Sequence, residues 1–157
     1  MDNDLKQNAE ALLENGEVEA LYDLLLPFIE QNDAYAQFLY SSFSLESTGE
    51  TEDEFEARSM KLLERASEGG VAEASYRLGV MGLYGDFAAA TAKSASEYFE
   101  RAIAQGHSYS KFTYGFNLYY GVGDIKQDKT RGLQLMEAAA QDGIEPAREE
   151  LKIIQAA

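Results

Sequence analysis

Small and apolar residues return at spacings of three and four from Ala72 to Tyr84, the pattern of one helix face. The same spacing runs from Ser96 to Ala104 through Tyr98, Phe99, Ala102 and Ile103, and predicts a second helix there. These segments are two instances of a longer alternation. Gly70-Val71-Ala72-Glu73-Ala74-Ser75-Tyr76-Arg77-Leu78-Gly79 reads glycine, small, small, aromatic, apolar, glycine, and about 36 residues later Gly106 to Gly115 reads the same way. Asn32 to Ser41 repeats the order with Asn and Ser at the glycine positions, and Gly143-Ile144-Glu145-Pro146-Ala147 leads to Leu151 at the matching distance.

A second motif is interleaved with the first. Leu62-Leu63-Glu64-Arg65-Ala66 precedes Gly70, Tyr98-Phe99-Glu100-Arg101-Ala102 precedes Gly106, and Leu135-Met136-Glu137-Ala138-Ala139 precedes Gly143. Glycine after a helical stretch is the residue a left-handed C-terminal cap asks for. Pro146 stands just inside the last helix, where a missing N–H is harmless. The predicted unit is therefore helix A, a loop, helix B and a glycine turn. Its loops are acidic at Glu46 to Glu54, alanine-rich at Gly85 to Thr91, and glycine-bearing at Gly121 to Asp128.

Glycine inside a helix costs about 1 kcal/mol relative to alanine, so Gly79 and Gly115 need a reason. Close approach supplies one: with Ala72, Ala74 and Ser110 they let helix backbones pack nearly in contact. A helix pair that cannot bury its apolar face alone stacks on the next pair, and the predicted fold class is an all-α solenoid. Residues 1–31 precede the repeats. Leu5, Ala9, Leu12 and Leu13 fit a short helix ended at Asn15-Gly16, and the apolar run Val18 to Ile29 predicts a buried helix that Pro27 kinks or restarts. The chain is thus expected to be one helical-repeat domain over 1–157. It has an N-terminal helical cap (1–31), a degenerate repeat (32–70), two repeats (71–106 and 107–143) and a C-terminal capping helix (144–157).

The two glycine-flanked units resemble the Sel1-like repeat, a relative of the tetratricopeptide repeats. The residues that carry the resemblance are Ala74, Leu78, Gly79 and Gly85, then Ser110, Tyr114, Gly115, Gly121, Gly123 and Asp128, with Ala139, Ala140 and Gly143 closing the unit. Gly132 departs from it by standing where alanine is usual. The resemblance covers roughly residues 32 to 157. It implies a right-handed α/α superhelix used for protein–protein contact, without catalysis. It also implies which helix-A positions face a concave groove. These hold Tyr35, Phe38, Ser42 and Leu45 in the first unit, Glu73, Tyr76, Val80 and Leu83 in the second, and Tyr109, Phe112, Phe116 and Tyr119 in the third. The expected partner-binding set is Tyr35, Phe38, Tyr76, Val80, Leu83, Tyr109, Phe112, Phe116 and Tyr119, since aromatic side chains make good interface anchors.

Composition narrows the chemistry. Among 157 residues there is no Cys and one His, which removes disulfides, thiolate sites and any mechanism or metal site needing two histidines. The net charge of −15 opposes nucleic acid and anionic membrane surfaces. No signal peptide is seen at Met1 to Lys6 and no run approaches a membrane span of about 20 residues, so a cytoplasmic protein is expected. Glu50 to Glu56 lacks the spacing of a calcium loop and reads as a solvated loop entering an acid-rich helix start. Gly121-Val122-Gly123-Asp124 has no Lys-Ser/Thr and no preceding strand, and His107 follows a glycine turn, so neither makes a phosphate cradle or general base. No enzyme, cofactor or metal site is expected.

Charge is uneven along the chain. Residues 1–70 hold 17 acids and four bases, net −13, whereas residues 71–157 hold 11 acids and nine bases, net −2. Such a field draws a basic partner. The expected function is a non-catalytic module binding a protein or peptide, monomeric when free. The alternative is an immunity protein that neutralises a basic toxin or nuclease stoichiometrically. A further reading is self-association through the terminal helix around Leu151, Ile153 and Ile154.

Overall fold

The computed structural model describes residues 1–85 and 93–157; past Gly85, the expected alanine-rich loop lies outside the described residues. Its α-helices are α1 (Asn3–Glu14), α2 (Val18–Glu30), α3 (Ala34–Tyr40), α4 (Glu52–Glu68), α5 (Ala72–Leu83), α6 (Ala95–Ala104), α7 (Ser108–Tyr120), α8 (Lys129–Gln141) and α9 (Glu145–Ala156). A single 3₁₀ turn, Glu46–Thr48, follows α3, and the described residues contain no strand.

Polar side chains start most of these helices by taking up backbone N–H groups that have no helical partner. Asp2, Asp33 and Asp128 cap α1, α3 and α8, while Thr51 and Ser94 form reciprocal capping boxes with Glu54 and Glu97. The turns that end α4, α6 and α8 are alike. Gly70, Gly106 and Gly143 sit at φ 99°, 91° and 89°, and in each the next N–H reaches back to the carbonyl five residues earlier, as in Val71 to Ala66 at 3.0 Å. Asn32 makes the same turn at φ 59°, so the substitution of Asn for Gly noted in the first unit preserves the geometry. Pro146 lies in the first turn of α9, as expected.

The chain packs as two compact units, Met1–Ala74 and Ser75–Ala157. In the first, α1 packs on α2, α2 on α3 and α3 on α4 around Leu21, Leu25, Leu39, Met60, Leu62 and Leu63. Helix α2 is not the fully buried helix expected. It buries Leu21 and Leu25 but leaves Val18, Leu24, Leu26, Phe28 and Ile29 half-exposed. It also continues through Pro27 to Glu30 and does not restart there, although the proline ring removes the N–H that the Asp23 carbonyl would otherwise accept. Arg58 on α4 ties α3 to α4. Its guanidinium donates to the carbonyls of Tyr40 (3.1 Å) and Phe43 (2.8 Å) and pairs with Glu50 (2.7 Å), beneath the Tyr40 ring (4.2 Å). The Arg58 hydrogen bonds, aided by one from Ser44, hold the Glu50 carboxyl down at about 2.

In the second unit α6 packs on α7, α7 on α8 and α8 on α9. Its core gathers Phe99, Tyr114, Leu118, Ile125 and Leu135, with Phe99 and Tyr114 stacked at 5.6 Å and 19°. Three helix glycines, Gly79, Gly115 and Gly132, sit where backbones or rings allow no side chain. A Cβ on Gly79 would lie 2.8 Å from the Phe99 ring, one on Gly115 2.8 Å from the Gly132 carbonyl oxygen, and one on Gly132 2.6 Å from the Gly115 oxygen. Gly132, the departure from the repeat pattern, is thus half of a reciprocal glycine contact between α7 and α8.

Candidate partner-binding cleft

Helices α5 and α7 each carry side chains three and four residues apart that fall on one face. On α5 these are Tyr76, Val80 and Leu83, followed by Tyr84; on α7 they are Tyr109, Thr113, Phe116 and Asn117. Together with Val122 they line a cleft of about 400 Å³. Val122 is held there by the end of α7, where the Asn117 carbonyl accepts both Gly121 N–H (2.9 Å) and Val122 N–H (3.1 Å).

The cleft wall is an aromatic series. Tyr76 meets Tyr109 at 5.9 Å, Tyr109 meets Phe112 at 5.7 Å, Phe112 meets Phe116 at 6.0 Å, and Phe116 meets Tyr120 at 4.8 Å. Edge-on and tilted packing of this kind suits the ring quadrupoles and stiffens the surface. Tyr76 is further fixed by His107, stacked on it at 4.7 Å, and by Phe99 at 6.2 Å. His107 Nδ1 accepts Ser110 N–H at 3.2 Å and so caps α7, which is the turn role expected of it.

Polar groups in the cleft are few. The Tyr76 and Thr113 hydroxyls lie 3.4 Å apart, and Asn117 Nδ2 donates to the Thr113 carbonyl at 2.6 Å. Among the described residues, no charged side chain lines it. At the end of the series Tyr120 donates to Glu150, and that bond, with burial second, pushes the phenol up to about 12. Lys129 lies 5.6 Å over Tyr119. Among the described residues, no group of three or more acidic or histidine side chains is placed to hold a metal ion, and no helix is long and apolar enough to cross a membrane.

Of the nine expected residues, Tyr76, Val80, Leu83, Tyr109 and Phe116 line the cleft, and Phe112 packs between two of them. Tyr119 is half-buried beside Tyr120. The two residues of the first unit lie elsewhere. Tyr35 donates to Glu10 under the Lys6 ammonium, 4.8 Å from its ring, and burial followed by that hydrogen bond raises its phenol well above the usual range. Phe38 is only 8% exposed and belongs to the core, out of reach of a partner. Sequence reasoning missed Tyr84, Thr113, Asn117 and Val122. Thr113 and Asn117 were legible as one turn on from Tyr109 and Thr113, but their polarity hid them from a search for aromatics.

A family model described as plant tetratrico peptide repeats matches residues 54–155, and one described as Sel1 repeat matches residues 34–71. The chain is a Sel1-like member of the tetratricopeptide-repeat family. Among solved structures, the crystal structure of a Sel1 repeat protein from Oxalobacter formigenes is similar to this Sel1-like chain at a TM-score of 0.68 and 26% identity, covering 83% of this chain and 98% of the other. No curated protein matches it. The fold class is the all-α helical-repeat solenoid, and repeats of this kind mediate protein–protein interaction.

Proposed function

We propose that this Sel1-like chain is a non-catalytic interaction module whose α5–α7 cleft receives a protein or peptide. One observation carries the reading. Among the described residues, five large hydrophobic side chains are exposed: Tyr84, Tyr109, Tyr120, Val122 and Ile153. Three of these line the cleft, and a fourth, Tyr120, packs on its Phe116. Apolar surface gathered at one recess marks a binding site, whereas scattered exposed residues mark nothing. The working set of anchors is Tyr76, Val80, Leu83, Tyr109, Phe112, Phe116 and Tyr119, with Tyr84 added. The partner is basic, because residues 1–70 carry net −13.

Peptides selected against the protein from a displayed random library test this. Tyr109→Ala and Phe116→Ala should each weaken the selected peptides about thirtyfold, the effect of removing an anchor worth about 2 kcal/mol. Unchanged affinity in both variants, with intact helical circular dichroism, refutes the cleft. The same net −13 favours a second reading, an immunity-type inhibitor of a basic toxin or nuclease. That version requires a one-to-one complex whose association rate falls steeply with salt, and salt-independent association excludes it.

A further inference from the structure

The described residues that line the cleft are all neutral, yet they belong to a chain with net charge −15. The chain's own cations show what its other rings bind: Lys6 lies 4.8 Å over Tyr35, Arg58 4.2 Å over Tyr40 and Lys129 5.6 Å over Tyr119. Tyr84 is 77% exposed, and among the described residues its side chain makes no ring, cation or hydrogen-bond contact. Tyr109 is 40% exposed and packs edge-on against the rings of Tyr76 and Phe112. The cleft therefore offers negative ring faces and, among the described residues, no lining cation to repel a positive group.

We infer that the cleft takes an arginine side chain of a basic peptide segment against the faces of Tyr84 and Tyr109. The inference rests on the cleft being the interaction site and specifies what enters it. A guanidinium suits the place better than an ammonium, since it is planar, weakly hydrated and stacks on rings. Its electrostatic gain comes from the ring faces and not from area alone. A substitution that keeps the bulk and removes the ring therefore separates the two effects.

The test uses the isotope-labelled full chain and the peptide acetyl-Gly-Arg-Gly-Arg-Gly-amide, compared with the same peptide carrying neutral citrulline for arginine and with acetyl-Gly-Phe-Gly-Leu-Gly-amide. The arginine peptide should shift the aromatic resonances of Tyr84 and Tyr109. Tyr84→Leu should weaken it about three- to tenfold, and Tyr84→Phe should leave it unchanged. Because Tyr84 is so exposed, neither variant endangers the fold. Equal binding of the citrulline peptide, an arginine peptide that shifts only resonances within residues 1–70, or wild-type affinity in Tyr84→Leu overturns the inference. If the Phe-Leu peptide fills the cleft and the arginine peptide does not, the arginine assignment falls and the interaction site stands. If no peptide touches the cleft, both fall.

Discussion

Replacing Gly132 by alanine sets two magnitudes against each other. On helix propensity alone the change should stabilise α8 by about 1 kcal/mol. The new Cβ, however, would lie 2.6 Å from the Gly115 oxygen, 2.6 Å from the Tyr119 nitrogen and 2.9 Å from the Tyr119 Cα. All three are backbone atoms of α7, so no rotamer change relieves the clash and the helices must separate by several tenths of an ångström. A gap of 0.5–1 Å forfeits about a quarter to a half of each dispersion contact along the seam. Overpacking in a well-filled interior costs about 1–3 kcal/mol, and backbone against backbone belongs at the upper end. The expected net loss is about 2 kcal/mol, read as a fall of about 1 M in the urea midpoint for the second unit if m is about 2 kcal/mol/M. Gly115→Ala should cost a similar amount. The double variant should cost less than the sum, because one separation relieves both clashes. A Gly132→Ala midpoint at or above wild type would refute the close-approach account of the helix glycines.

Arg58→Ala leaves the Tyr40 and Phe43 carbonyls without their donor and should destabilise the first unit by about 2–3 kcal/mol in urea unfolding; Arg58→Lys, lacking the fork, should recover only part. The Glu50 carboxyl is held at about 2, below its unfolded value of about 4.3, so its contribution is fully present above pH 4.3 and is lost as pH falls toward 2. The stability gap between wild type and Glu50→Gln should therefore close across that window, and a gap that widens on acidification contradicts the pairing. Phe99 is fully buried against Gly79 and Tyr114, and Phe99→Ala should cost about 3–5 kcal/mol with loss of the near-ultraviolet aromatic signal.

Much of this was legible because the repeat punctuates itself. The turns at Gly70, Gly106 and Gly143 need positive φ, and the sequence pays attention to that need even at Asn32, the non-glycine residue that best tolerates it. What the pattern could not convey is which atoms a residue faces. Gly132 departs from the alanine of the pattern because the Gly115 carbonyl lies against it. Glu50 stood in an acidic run read as solvated, yet Arg58, eight residues on, reaches it because the intervening residues enter α4. Phe38 and Phe112 hold the same place in the repeat, but one is core and the other half-exposed. Register decides which way a side chain points; the neighbouring elements decide whether it is covered. Leu83 and Tyr84 show the converse, since one was expected at the cleft and the other, next in line, is its most exposed ring.

The closing turns of α4, α6 and α8 share one hydrogen-bond pattern and nearly one backbone angle, and each is followed within two residues by the next helix. A segment bounded by two such corners begins and ends in interchangeable joints. Gene duplication or excision between them would hand the chain a whole number of helix pairs with no new connection to invent, and length becomes a quantity selection can adjust in steps.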